Sequence, residues 1–194
     1  MIRSPLRAGI ALACALSLSA CGGSDGDLYV GGQVTGVTKA GLVLTNNGGS
    51  DLEIPANASS FVFKDPVETD DRYFVEVKSV PSNVEPGGCV VNKATGRAGF
   101  NVSDVEVICT IRKRALGGTI VGLGNASGLE LVNGSDRVVV PPDTTKLTMP
   151  PVSEGFPYGV TVLKQPAGRT CTVENGSGTM PAGPFDGIVV RCTQ

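Results

Sequence analysis

Gly31-Gly32-Gln33-Val34-Thr35-Gly36-Val37 and Gly117-Gly118-Thr119-Ile120-Val121-Gly122-Leu123 are one motif written twice: two glycines, three intervening residues, a third glycine, then an apolar residue. Five or six residues after the third glycine, each copy has Gly-Leu, at Gly41-Leu42 and Gly128-Leu129. The match then continues in order. Asn47-Gly48 and Ser50-Asp51 answer to Asn133-Gly134 and Ser135-Asp136, and Tyr73, Val75 and Val77 answer to Tyr158, Val160 and Val162. Pro81 answers to Pro166, Cys89 and Val91 to Cys171 and Val173, and Gly96 to Gly178. Val105, Val107, Cys109 and Thr110 close the first copy as Ile188, Val190, Cys192 and Thr193 close the second. A pattern that recurs over its whole length is a repeated structural unit, here of about 80 residues. The copies span 29–111 and 115–194, joined by the basic run 112–114, Arg112-Lys113-Arg114, read as a solvated linker.

Each copy reads as strands. The 194-residue chain has 27 Gly, 13 Pro, no Trp and 18% charged residues, a composition that suits short strands joined by tight turns. Apolar residues alternate between turn signals at Tyr29–Val37, Leu42–Thr45, Leu52–Ile54, Phe61–Lys64, Tyr73–Val80, Cys89–Asn92 and Val105–Ile111. In the fourth of these, Phe61 and Phe63 flank Val62 as Leu147 and Met149 flank Thr148, giving one large apolar face. No segment has the period of an amphipathic helix. Seven short strands in such a unit predict an all-β chain of two tandem small immunoglobulin-like antiparallel β-sandwiches.

Six cysteines divide by position. Cys14 and Cys21 lie near the start, and two fall at matching places in each repeat. Four cysteines allow three pairings. Repeat symmetry favours Cys89 with Cys109 and Cys171 with Cys192, because only that pairing lets each unit fold alone. Parity agrees: Cys89 shares a strand face with Val91, and Cys109 shares one with Val105 and Val107, so both sulfurs point into the apolar side. A four-thiolate zinc site is the competing use, but it calls for closely spaced cysteine pairs that this sequence lacks.

The first twenty residues read as a signal peptide. Arg3 and Arg7 precede the apolar stretch Ala8–Ala20, which is short for a permanent span. Leu18-Ser19-Ala20-Cys21 resembles the lipobox of bacterial lipoproteins. That resemblance implies cleavage before Cys21, lipidation of its thiol and amine, and a membrane anchor. Gly22 in place of an acidic residue implies forwarding to the outer membrane in a Gram-negative organism. Residues 21–28 then form a flexible tether of roughly 25 Å at full stretch. An ordinary secreted protein is the alternative.

Function is less legible than address. With no histidine, the chain has neither a Ser-His-Asp triad nor an imidazole metal ligand, so the expectation is a non-enzyme with no catalytic residues, cofactor or metal. Beyond residue 20 there are 14 basic and 18 acidic residues, a net charge of about −4, which speaks against nucleic acid as a partner. Asp65, Glu68, Asp70 and Asp71 could offer oxygens to calcium, but the second copy has Ser153-Glu154-Gly155 there, so a solvated loop is expected. Asn57, Asn101, Asn125, Asn133 and Asn175 head N-x-S triplets and read as turn residues. The paired units, with Tyr-x-Val-x-Val and two cysteines each, resemble immunoglobulin-like repeats of bacterial envelope proteins. The resemblance implies a structural, adhesive or spacer role at the envelope. The alternative it leaves is a binding protein for a glycan or an envelope protein, acting through loops or edge strands.

Overall fold

The computed structural model describes residues 27–194. The expected signal peptide, Cys14, the lipidation site Cys21 and all but the end of the tether lie outside the described residues. Those that are described contain strands and no helix. In the first unit they are β1 (Val30–Thr35), β2 (Leu42–Asn46), β3 (Leu52–Ile54), β4 (Ser60–Val62), β5 (Arg72–Ser79), β6 (Val84–Asn92), β7 (Thr95–Arg97) and β8 (Val102–Ile111). The second unit repeats the series as β9 (Lys113–Val121), β10 (Leu129–Asn133), β11 (Asp136–Val140), β12 (Lys146–Ser153), β13 (Pro157–Lys164), β14 (Thr170–Glu174), β15 (Ser177–Thr179) and β16 (Phe185–Thr193).

Each unit is two four-stranded sheets face to face. The orders are β4-β1-β8-β6 and β3-β2-β5-β7 in the first, and β12-β9-β16-β14 and β11-β10-β13-β15 in the second. Alternation puts Val30, Val34, Leu42, Leu44, Val75, Val105 and Val107 into one core, and Leu116, Ile120, Leu129, Leu131, Val160, Ile188 and Val190 into the other. Tyr73 and Tyr158 are core residues, each opposite a glycine, Gly96 and Gly178, whose missing side chain leaves room for the ring. The sandwiches are pinned by the disulfides Cys89–Cys109 and Cys171–Cys192, each joining directly opposed residues of antiparallel strands.

The repeated glycines have a steric cause. β1 and β8 run parallel and so close that a Cβ on Gly32 would sit 1.8 Å from the Val105 carbonyl oxygen; Gly118 stands in the same relation to Ile188. The third glycine of the motif, Gly36 or Gly122, turns the chain out of the strand at φ 79° or 78°, with its Cβ position against the backbone of Cys109 or Cys192. The motif is the seam along which the first strand of each sandwich meets its last.

Four expectations need correction in detail. One pairing per sandwich, β1 with β8 and β9 with β16, is parallel, and the rest are antiparallel. Each unit has eight strands where seven are legible, because β7 and β15 are three-residue strands without an apolar alternation. The basic linker 112–114 shrinks to Arg112, since Lys113 and Arg114 already pair with Ser153 and Val152. Finally, the tether ends before residue 28: Leu28 exchanges two backbone hydrogen bonds with Val67 and belongs to the first sandwich.

Candidate functional site at the domain junction

Parallel first and last strands decide where the chain enters and leaves. It comes in at one end of the sandwich along β1 and goes out at the other along β8, whose ten residues span about 33 Å. A single residue later it starts β9, again a central strand. The two units therefore meet end to end.

Arg112 is held from both sides by its backbone. Its N–H donates to the Asn83 carbonyl of the first unit at 2.8 Å, and its carbonyl accepts from the Glu154 N–H of the second at 2.9 Å. Asn83 is fully buried, and its amide donates to Thr38 Oγ1 at 2.8 Å. The Arg112 guanidinium lies 3.0 Å from Glu85 Oε1, though off the line of a hydrogen bond.

Glu154 is the centre of the junction. It sits in the turn between β12 and β13, where Gly155 at φ 82° lets the chain reverse, and its side chain is 3% exposed. A carboxylate this deep needs compensation. Lys39 Nζ, 115 positions away in the first unit, donates to Oε1 at 2.7 Å. Arg114 donates through Nε and Nη2 to Oε2 at 3.2 and 2.8 Å. The hydrogen bond from Lys39, then those from Arg114, hold this carboxyl below the usual carboxylate range, against burial, which pulls the other way.

The pieces of this junction occur only where the units meet. At the outer end of the first unit the equivalent turn has Thr69 in place of Glu154, with Asp70 at φ 72° in place of Gly155. At the outer end of the second, the loop that matches Thr38-Lys39 reads Gly124-Asn125-Ala126-Ser127 and has no cation.

The sign of a pH effect follows. A carboxyl whose folded pKa is depressed contributes stability that is complete above the ordinary glutamate value of about 4.3 and is lost as the pH falls through the folded value. Small-angle scattering should show one unchanging end-to-end pair from neutral pH down to about 4.3, and a broader distribution of distances only below it. Glu154→Ala should leave Lys39 and Arg114 without their partner at any pH and cost about 2 kcal/mol. This is less than a wholly buried pair would lose, because the Lys39 side chain is 44% exposed. Trypsin reports the change directly, since cleavage after Arg112, the one basic residue of the run outside the strands, should rise at least tenfold while the sandwiches stay intact.

The other residues singled out from the sequence fall elsewhere. Cys89, Cys109, Cys171 and Cys192 form the two disulfides and leave no thiolate set for zinc. Asp65, Glu68, Asp70 and Asp71 line the loop between β4 and β5, where Asp71 Oδ2 accepts from the Glu68 N–H. Among the described residues no cluster of three acidic, cysteine or histidine side chains could hold a metal ion. Asn57 and Asn175 occupy positive φ, at 62° and 55°, as turn residues do, whereas Asn133 closes strand β10, and Asn101 and Asn133 accept from the distant Tyr29 and Gly159 N–H groups. Glu154 is not legible as a site in the sequence because Arg114 reaches it only through the pairing of β9 with β12, and Lys39 only through the end-to-end contact.

No protein-family model matches this chain, and no curated protein matches it. Among solved structures it has a distant similarity to a mutant of the shaft pilin SpaA of Lactobacillus rhamnosus GG. That match is 8% identical over 86% of this chain and 98% of the other, with a TM-score of 0.28. It is too remote to carry anything from one protein to the other.

Proposed function

We propose that this is a non-enzymatic envelope protein, anchored by lipid at Cys21 in the outer membrane, whose two sandwiches act as a stiff spacer that holds its far end away from the bilayer. The observation that carries this reading is the passage of the chain straight through both units, with one residue between them and a buried ion cluster across the joint. Two strands of about 33 Å laid end to end would give a reach of about 65 Å, while a flexible linker would let the pair fold back to half of it. Three acyl chains at Cys21 would hold such a protein durably, at about 0.8 kcal/mol per buried CH2.

Mass spectrometry of the protein extracted from membranes tests the anchor. A chain that begins at an acylated Cys21, with Cys21→Ser released into the soluble fraction, is the expected result. An unmodified Cys21 in a membrane-free protein would overturn it. Small-angle scattering tests the spacer separately, and a maximum dimension well under 65 Å would count against it.

A further inference from the structure

The outer face of the first sandwich carries a feature that the spacer role does not use. Arg72 on β5 and Arg97 on β7 are directly opposed cross-strand neighbours, so their side chains leave the sheet on the same face. Like charges in that position repel, and neither guanidinium has a carboxylate within ion-pair distance among the described residues. Arg97 Nη1 instead donates to the Asp70 carbonyl at 2.8 Å, which fixes its direction, while Asp71 Oδ2 accepts from the Glu68 N–H.

The two arginines border a cleft of about 500 Å³ that also takes in Asn47, Tyr73, Phe74, Thr95 and Gly96. Phe74 is 43% exposed, an aromatic ring kept at the surface one residue from the buried Tyr73. The Asn47 amide donates to the Arg72 carbonyl at 2.8 Å, which leaves its own oxygen as an acceptor. The second unit supplies an internal comparison. Its matching pair is Pro157 opposite Thr179, and Gly159 opposite Ser177 stands where Phe74 faces Thr95, so neither cations nor ring are part of the repeat. In a chain of net negative charge, this uncompensated pair beside an exposed ring is specific to the first sandwich.

We infer that this cleft binds an acidic saccharide, its carboxylate held by Arg72 and Arg97 and the apolar face of its ring laid on Phe74, with the Asn47 oxygen accepting from a hydroxyl. Two guanidiniums side by side match the two oxygens of a carboxylate, and an aromatic face matches the C–H face of a pyranose. The inference does not depend on the lipid anchor.

The full chain titrated with a uronate tetrasaccharide, followed by amide chemical shifts, tests it. Expected are saturable shifts at Asn47, Phe74, Thr95, Gly96 and Arg97 but none at Gly159 or Ser177, and weaker binding in high salt. Arg72→Gln and Arg97→Gln should each weaken binding tenfold or more. Phe74→Ala should weaken the uronate but leave any response to inorganic phosphate unchanged, whereas Lys78→Gln, on the same sheet, should change neither. Equal binding of the neutral tetrasaccharide, equal binding of phosphate, or uronate binding that survives both arginine substitutions would each overturn it. If an arginine variant fails to fold, the shift map of the unaltered chain decides alone: shifts elsewhere, or none, reject the site.

Discussion

Gly118→Ala is expected to unfold the second sandwich at temperatures where the first remains folded. A Cβ at 118 would lie 1.8 Å from the Ile188 carbonyl oxygen and 2.6 Å from its carbon, and both belong to backbone in a central strand, so no side chain can swing away. Relief requires separating β9 from β16. That would disturb Leu116, Ile120, Ile188 and Val190, which are all buried in the same core. We expect a cost above about 3 kcal/mol, at the upper end of overpacking effects, in a unit of about 80 residues that has roughly 4–12 kcal/mol in all. Gly32→Ala should do the same to the first sandwich through the Val105 carbonyl. Gly99→Ala is the control, since nothing lies within 4 Å of a Cβ there and it should change little. Thermal unfolding with two resolved transitions reads all three. A Gly118→Ala protein with both transitions in place would mean that the parallel seam is looser than its geometry.

Reduction is expected to have an effect of similar size on both units. Each disulfide closes a loop of 20 or 21 positions, for which chain entropy gives about 3 kcal/mol. Loss of that amount from a small sandwich poor in aromatics should lower its urea midpoint severely. The two bonds should not react together. Cys171 and Cys192 are both buried, whereas Cys89 is partly open on edge strand β6, so thiol exchange should reach Cys89–Cys109 first. Alkylation with mass spectrometry over a reductant series would show a first-unit-reduced species at intermediate concentrations. Simultaneous reduction, or unchanged urea stability after complete reduction, would refute the respective claims.

The sandwich class and the disulfides could be read from the chain because both depend on period-2 alternation and on repetition. Cys89, Val91, Val105, Val107 and Cys109 carry their facing directions in their spacing, and the second copy repeats it. Strand order is different. Nothing local in Gly31-Gly32 says that the neighbour is β8 or that it runs parallel, although a doubled glycine marks a close backbone approach. β7 and β15 were illegible because three residues around a glycine show no alternation, and with β7 hidden the opposition of Arg72 and Arg97 was hidden too. Lys113 and Arg114 read as linker because charge suggests solvent, yet Arg114 turns inward to Glu154. Glu154 itself looks like one acid in a polar turn, and only the packing of one unit on the next gives it Lys39.

The parallel seam also decides how the molecule answers to tension. A load applied between its two ends pulls β1 one way and β8 the other along their shared axis, and acts likewise on β9 and β16. The hydrogen bonds of each seam are then loaded in shear and must fail together, whereas a hairpin loaded at its open end unzips one bond at a time. Beyond that failure, Cys89–Cys109 and Cys171–Cys192 withhold the chain between them from extension.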